Sequence, residues 1–206
     1  MKKVVLVLGM LLGMSLLLTT PAQAVYIVDT GQPSVGVGHV LDSSQWLAAE
    51  FTLTQNYTLT DIQGFMYTAN TPGTAGVAIY SDGGDVPGTE IYSDAFYIYA
   101  GESWQGLSGL TWNLEANTYW VSFEVRPEHT FYGSMADGSP PSPLGNEAIK
   151  STYNNGPGVW VGDDNLDLGI RIQGSVIPEP SSMLLLGSGI VSMAAALRRR
   201  KGSKKV

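Results

Sequence analysis

The sequence predicts an all-β protein, an antiparallel β-sandwich, flanked by one apolar segment at each terminus. Two observations within residues 25–175 predict the sandwich. Short runs of aromatic and β-branched residues alternate with polar residues and are separated by Gly, Pro, Asn and Asp. No run in this region has sustained helical spacing. Each terminus carries instead a continuous apolar run with basic residues beside it, which predicts a membrane-targeting or membrane-spanning segment.

The first 24 residues have the features of a secretory signal peptide. Two lysines precede an apolar run from Val4 to Leu18, and Ala22 and Ala24 supply the small residues of a cleavage site. We expect cleavage after Ala24, which leaves residues 25–175 as the ectodomain. The alternative is an uncleaved N-terminal anchor, which the short apolar run and the well-placed cleavage site disfavour.

The ectodomain is acidic and contains no cysteine. It has seventeen Asp and Glu residues against Arg126, Lys150 and Arg171, a formal charge of −14. This charge repels phosphates, so we expect no nucleic-acid partner, whereas a hydrated surface, divalent cations and neutral glycans remain compatible. Because the whole chain lacks cysteine, disulfides, thiolate metal sites and cysteine nucleophiles are excluded.

About 150 residues suffice for one domain with a hydrophobic core. Short strands with turn signals at this density predict a jelly-roll-like sandwich. The strand at 118–125 alternates Tyr119, Val121 and Phe123 with more polar residues, which predicts a central strand with one apolar face. The predicted strands are 25–28, 46–53, 57–67, 76–80, 91–99, 108–114, 118–125 and 166–173. We expect a loop at 81–88, between strands that end at Tyr80 and begin near Ile91, and a second loop without regular structure at 133–145.

The sequence shows no catalytic motif that we recognise. The two histidines, His39 and His129, stand in unrelated contexts, and Ser103 lacks the second glycine of a nucleophile elbow. Carboxylates are numerous, and any acidic sandwich brings some of them together, so a glycosidase pair cannot be argued from sequence. We therefore expect no enzymatic activity. A carbohydrate-active enzyme, with two carboxylates facing across a groove, is kept as an alternative.

Two acidic loops are candidate metal sites. Asp82 and Asp85 flank a glycine pair, and Asp163, Asp164 and Asp167 precede the last strand. Ca²⁺ takes six to eight oxygen ligands, but neither loop has the spacing of an EF-hand. We expect hydrated turn residues and no required cofactor, with bound Ca²⁺ as the alternative.

Aromatic residues concentrate between Tyr92 and Trp112. Trp104 and Trp112 are the candidate glycan contacts, because exposed aromatic rings stack on the apolar faces of sugars. The commoner role of alternating aromatics is to fill the space between two sheets. A glycan- or ice-binding module predicts a flat exposed row of Trp and Tyr, or of Thr, on one sheet face.

The last thirty residues combine a Pro-Glu-Pro triplet, an apolar segment and a basic tail. The fifteen residues 183–197 would span about 22 Å as a helix, and snorkelling arginines would extend them toward the roughly 30 Å of a bilayer core. We expect a transmembrane helix over about 181–199, started by Pro178 and Pro180. By the positive-inside rule, the tail lies in the cytoplasm and the ectodomain outside.

This arrangement resembles the PEP-CTERM sorting signal of Gram-negative bacteria. The resemblance implies that Pro178, Glu179 and Pro180 are the recognition motif and that Arg198, Arg199 and Arg200 are the stop cluster, within a sorting segment of residues 176–206. It also implies processing by an exosortase, a membrane-embedded cysteine-type transpeptidase, and passage to the cell surface, often in organisms that make exopolysaccharide. The same type of segment ends some ice-binding proteins.

The ectodomain resembles the β-sandwiches of bacterial surface proteins of the choice-of-anchor class. The matching stretches are AAEFT at 48–52, YTLTDI at 57–62, VAIYSD at 77–82 followed by Pro87-Gly88, and LEANTYW at 114–120. This resemblance implies a sandwich without assigned activity. The sequence thus predicts a non-enzymatic surface protein with a structural or adhesive role in the envelope or exopolysaccharide matrix. A glycan- or ice-binding module and a carbohydrate-active enzyme are the alternatives.

Overall fold

The computed structural model describes residues 23–34, 38–68, 72–138, 143–153, 156, 158–163 and 165–178. In this part of the chain, twelve strands form two antiparallel sheets without a helix, so the predicted all-β fold is confirmed. The predicted signal peptide and C-terminal helix lie outside the described residues. The strands are β1 (Val25–Asp29), β2 (His39–Leu41), β3 (Gln45–Thr52), β4 (Tyr57–Thr68), β5 (Gly73–Asp82), β6 (Pro87–Ile98), β7 (Gly101–Leu114), β8 (Thr118–Glu124), β9 (Gly133–Met135), β10 (Glu147–Ser151), β11 (Trp160–Gly162) and β12 (Ile170–Val176).

Sheet A is built around the long strand β4. One edge of β4 pairs with β7, and the other pairs first with β12 and then with the short β9. β1 continues the sheet beyond β12, and β2 continues it beyond β9. The last strand of the domain therefore lies inside the sheet, hydrogen-bonded on both sides.

Sheet B has the strand order β11-β10-β3-β8-β5-β6. β8 is central, as its alternating pattern predicts, and pairs with β3 and β5. Tyr119, Val121 and Phe123 of β8 point into the core, so Trp120, Ser122 and Glu124 point to the outer face of the sheet.

The main core lies between the two sheets. It joins Leu59, Ile62 and Met66 of β4 to residues such as Val77 and Phe123 of sheet B. Each fully buried Leu, Ile, Val or Phe side chain contributes about 1.5–3 kcal/mol. In a chain without disulfides, this burial supplies the stability.

One glycine lets the sheets approach closely. A Cβ on Gly64 would lie 2.8 Å from Met135 Cε, closer than real contacts come, and 3.1 Å from Phe123 Cε1, which is unusually tight. Gly64 therefore leaves the space that these two side chains fill.

Three sequence expectations need correction. The prediction that residues 133–145 lack regular structure is wrong at its start, because β9 begins at Gly133 and pairs with β2 and β4. β5 continues to Asp82 and β6 begins at Pro87, so the connection between them is shorter than the expected loop at 81–88. The last strand begins at Ile170 and not at residue 166, because 166–169 cross from sheet B to sheet A with Leu166 and Leu168 buried.

The chain enters and leaves the sandwich at the same end. Val25 at the start of β1 pairs with Gly174, close to the end of β12 at Val176. The loops 53–56, between β3 and β4, and 115–117, between β7 and β8, lie at this end too, because Tyr57 is the partner of both Val176 and Leu114. We call it the exit end, and the opposite end of the sandwich the distal end.

Candidate functional site

The predicted sorting motif starts directly at the folded domain. Val176 pairs with Tyr57, and the Ile177 backbone N–H donates to the Asn56 carbonyl oxygen at 2.9 Å. Pro178 follows and is exposed. Glu179 and Pro180 lie outside the described residues, as does the cluster Arg198, Arg199 and Arg200. At the predicted signal cleavage site, Ala24 is exposed beside β1, and Ala22 lies outside the described residues.

Asn56 forms hydrogen bonds with two other segments beside this exit, the end of β12 and the loop 115–117. Its backbone oxygen holds Ile177, and its side-chain oxygen accepts the Ala116 N–H at 2.8 Å. The Leu53 N–H donates to the Asn117 carbonyl oxygen at 2.9 Å. We name the surface formed by residues 54–56 and 115–117 the exit ledge. No local sequence pattern predicts this ledge, because its contacts join segments that are far apart in the chain.

The two acidic loops use their aspartates as turn acceptors. Asp82 Oδ1 accepts the Gly84 N–H at 2.9 Å and the Trp120 indole N–H at 3.3 Å. Asp163 Oδ1 accepts the Asn165 N–H at 3.3 Å, while Asp85 is exposed. Asp164 lies outside the described residues, and among those described no three or more His, Cys, Asp or Glu side chains cluster as metal ligands.

Asp167 belongs to a different arrangement, centred on the buried Glu147. Asp167 has a positive φ of 45°, and its N–H donates to Glu147 Oε2 at 2.7 Å. The Leu168 N–H donates to Glu147 Oε1 at 2.9 Å. Burial raises the pKa of Glu147, although these backbone hydrogen bonds act against that rise. The carboxylate thus fixes the crossing segment between the sheets.

The two candidate glycan-contact tryptophans are both partly buried. Trp112 stacks on Tyr92 of sheet B, with ring centroids 5.3 Å apart, and packs against the main core. Trp104 lies on the outer face of sheet A, in edge contact with Phe65. The Arg171 guanidinium carbon lies 3.9 Å from the Trp104 ring centroid and covers it. The structure does not bring the two rings together into one row.

The outer face of sheet B carries a second buried cluster that sequence reasoning missed. Trp120 is fully buried there, and Tyr80 packs with it over three alanines, Ala48, Ala78 and Ala148. Val86, in the turn between β5 and β6, and Trp160 of β11 cover the cluster. A Cβ on Gly162 of β11 would lie 3.6 Å from the Asp85 carbonyl oxygen, so this turn reaches the opposite edge of sheet B.

A polar network lies on this covered face. Glu124 Oε1 accepts hydrogen bonds from the Tyr80 hydroxyl at 2.7 Å and the Ser122 hydroxyl at 2.6 Å. Arg126 bridges two carboxylates, with Nε 2.7 Å from Glu124 Oε2 and a terminal nitrogen 2.6 Å from Glu90 Oε2. Glu124 is completely buried. The one sequence signal for this network was the pair of polar residues, Ser122 and Glu124, on alternate positions of a central strand.

Within this network the pKa of each shifted group moves in the direction that favours its hydrogen-bonded or ion-paired form. Burial, reinforced by the Glu124 carboxylate, raises the pKa of Tyr80 well above its usual range. Burial would lower the pKa of Arg126, but hydrogen bonds to Glu124 and Glu90 outweigh it and raise that pKa. Burial would likewise raise the pKa of Glu90, but hydrogen bonds from Ser93 and Arg126 hold it below its usual value. Tyr80 and Arg126 therefore stay protonated, and Glu90 stays ionised, at neutral pH.

A small hollow of about 110 Å³ opens beside this network and is lined by Arg126, His129 and their neighbours. His129 Nδ1 is 3.2 Å from the Arg126 backbone nitrogen, whose N–H donates to it. Ligand pockets usually measure about 300–1,000 Å³, so the hollow is small for a substrate.

The distal end displays most of the exposed tyrosines. Tyr97, Tyr99, Tyr132 and Tyr153 are exposed by between 52% and 69%. Tyr99 lies in the turn between β6 and β7, and its ring meets that of Tyr97 edge-on at 5.0 Å. Tyr132 lies just before β9, where its carbonyl oxygen accepts the Thr68 hydroxyl at the end of β4.

In the part of the chain that the structure describes, no helix has the length and apolar character needed to cross a membrane. In the comparison with protein families, residues 176–201 match the PEP-CTERM protein-sorting motif. No curated protein and no solved structure matches the chain. The choice-of-anchor class of the ectodomain therefore stays a prediction, whereas the predicted sorting motif is confirmed. This motif implies an exported, membrane-associated protein that is processed by an exosortase.

Proposed function

We propose that this chain is a non-enzymatic surface protein whose sandwich serves the architecture of the cell envelope or of an exopolysaccharide matrix. In this proposal a signal peptide, cleaved after Ala24, exports the chain. A helix over about 181–199 then holds it in the inner membrane, with the basic tail in the cytoplasm, until the exosortase passes it to the surface. The sandwich is jelly-roll-like and of the choice-of-anchor type.

The observation that carries the proposal is the overlap between the last strand and the sorting motif. The motif match begins at Val176, which is also the last residue of β12. Since β12 is paired with β1 and β4 on its two edges, the sandwich is joined to the sorting segment without a linker. Val25 lies at the same end, so both predicted processing points are adjacent to one surface of the domain.

The state of the carboxylates favours a non-enzymatic role. Glu124 and Glu90 face each other across one guanidinium, so Arg126 occupies the space that a sugar would need between a glycosidase pair. Glu124 is also completely buried and engaged by two hydroxyl groups. A substrate would have to displace this network, at the cost of breaking a buried ion pair.

The proposal is tested by replacing Pro178, Glu179 and Pro180 with alanine in a bacterium that carries a matching exosortase. We expect the variant to accumulate uncleaved in the inner membrane, measured by cell fractionation and by the mass of the protein. The matched control replaces the exposed pair Pro127 and Glu128 with alanine, which also removes a Pro-Glu pair. If the triplet variant reached the surface in processed form, the exosortase assignment would be wrong.

Binding of a neutral glycan is a second candidate function, favoured by the exposed tyrosines of the distal end. These exposed rings lie at the opposite end of the sandwich from the sorting motif and offer apolar faces for sugars. We expect retention on a neutral polysaccharide that Tyr99→Ser with Tyr132→Ser abolishes and Tyr26→Ser preserves. Tyr26 is also exposed, at 52%, but lies in β1, toward the exit end. Absence of retention on a glycan array, together with an unchanged ice-growth rate, would exclude both a glycan- and an ice-binding module.

A further inference from the structure

The distance between the sorting motif and the folded domain is set by covalent geometry. The Ile177 N–H is bound to the Asn56 carbonyl oxygen, and Glu179 is two residues further along the chain. Two residues in any conformation span at most about 7 Å. An enzyme that binds Glu179 must therefore contact the surface of the domain around Ile177.

The exit ledge is what surrounds Ile177. Residues 54, 55, 115, 116 and 117 are exposed, and Asn56 is half-buried because it holds both Ile177 and Ala116. The ledge is also kept in place by the hydrogen bond between Leu53 and Asn117, so it offers a fixed shape and not a loose loop. Such a shape can be complementary to a partner without a large ordering cost on binding.

The chemistry of the ledge also suits a transient protein contact. Its side chains are a hydroxyl, three amides and a methyl group, with Glu115 as the one carboxylate. In a domain of formal charge −14, this is a surface of low charge. Surfaces with many amides and hydroxyls form wet, reversible interfaces, as an enzyme requires for a substrate that it must release.

We propose that the exit ledge is the docking surface for the exosortase, which recognises the sandwich as well as the Pro-Glu-Pro motif. This inference rests on the proposed function, since it requires the motif to be the sorting signal. The enzyme contacts residues 54–56 and 115–117 while the motif occupies its active site. Recognition thereby includes a check that β12 is folded, because Asn56 joins the ledge to Ile177 only in the folded sheet.

The test uses steric variants in two chain lengths. Ala116→Trp and Thr54→Trp add bulk to exposed positions of the ledge, and Glu128→Trp does so at an exposed site of the distal end. Each is made in the full chain and in a version with about ten Gly and Ser residues inserted between Ile177 and Pro178, which adds a reach of about 17 Å.

We expect the ledge variants to slow processing at least about fivefold in the native-length chain and to have no effect in the chain with the insert. Glu128→Trp is expected to be neutral in both. Processing of the ledge variants at the normal rate in the native-length chain would overturn the inference, and so would equal slowing in both lengths. If the triplet alanine variant were itself processed normally, the proposed function would fail. If that variant were blocked while the ledge variants were normal, only the docking inference would fail.

A second measurement shows whether the exosortase or the lipid bilayer contacts the exit ledge. The chain has no cysteine, so Ala116→Cys provides a unique attachment point for an environment-sensitive fluorophore. The labelled full chain is reconstituted in vesicles with and without an inactive exosortase. We expect a change in emission only when the enzyme is present. The same change in vesicles of phospholipid alone would show that the ledge rests on the membrane and would overturn the proposal.

Discussion

The two outer faces of the sandwich carry similar residues in opposite states. On sheet B, Trp120 is completely buried, and Arg126 is clamped between two carboxylates. On sheet A, Trp104 is partly exposed under Arg171, whose Nε bonds to Asp29 at the surface. Each face has a tryptophan, an arginine and acidic residues. What differs is the cover: the turn between β5 and β6 reaches across sheet B, whereas the Arg171 side chain lies over Trp104.

The difference shows how a polar strand face becomes a second core. The covered face has alanines at three positions where larger side chains would keep the turn away, namely Ala48, Ala78 and Ala148. Tyr80 and Trp160 meet edge-on above them, with ring centroids 6.1 Å apart. Aromatic residues on the outside of a sheet can therefore be structural, and their number alone does not indicate a ligand site.

The largest effect that separates the faces is expected from the two tryptophans. Trp120→Ala removes a fully buried ring and should lower the free energy of unfolding by about 3–5 kcal/mol. Trp104→Ala removes a partly exposed ring and its contact with Arg171, and should cost about 1 kcal/mol. Urea unfolding followed by circular dichroism measures both. Equal losses would mean that the turn does not seal the covered face in solution.

The burial of Trp120 also marks the limit of what the sequence could predict. The alternation in β8 predicted a central strand and the core-facing side of Tyr119, Val121 and Phe123, because period two is a local property. It did not predict that Ser122 and Glu124 would be buried as well. Glu124 is engaged by Tyr80 and Arg126, and Trp120 beside it is covered by Val86 and Trp160, so this burial depends on residues outside β8.

The candidate site likewise has one part that the sequence predicts and one part that it does not. The Pro-Glu-Pro triplet was predictable because its recognition depends on contiguous residues, and the family match covers them. The ledge beside it depends on the bond between Asn56 and Ile177, two residues brought together only by the pairing of β4 with β12. β9 escaped prediction for a related reason, since three residues are too few to show a period.

An intermediate loss of stability is expected when the buried carboxylate of Glu124 on the covered face is neutralised. Glu124→Gln keeps the shape and an acceptor oxygen but removes the charge that pairs with Arg126. We expect the free energy of unfolding to fall by about 2 kcal/mol, the usual size for a hydrogen bond to a charged group. Asp29→Asn makes the matched change at the surface ion pair with Arg171 and should cost at most about 1 kcal/mol. A larger loss for Asp29→Asn would reverse the contrast between the faces.

The smallest change in folding stability is expected when the pH is lowered and Glu90 becomes protonated. Its pKa lies below the usual value of 4.5, because hydrogen bonds from Ser93 and Arg126 outweigh the effect of burial. A carboxyl group of this kind stabilises the fold above its unfolded pKa, and the contribution is lost as the pH falls through the folded value. The wild type should therefore lose more stability than Glu90→Gln as the pH falls below 4.5, measured by urea unfolding. Glu147, whose pKa burial raises, acts in the opposite sense in both proteins and cancels in the comparison. Identical pH profiles would mean that Arg126 is held by Glu124 alone, and the covered face would then resemble the open one at its rim.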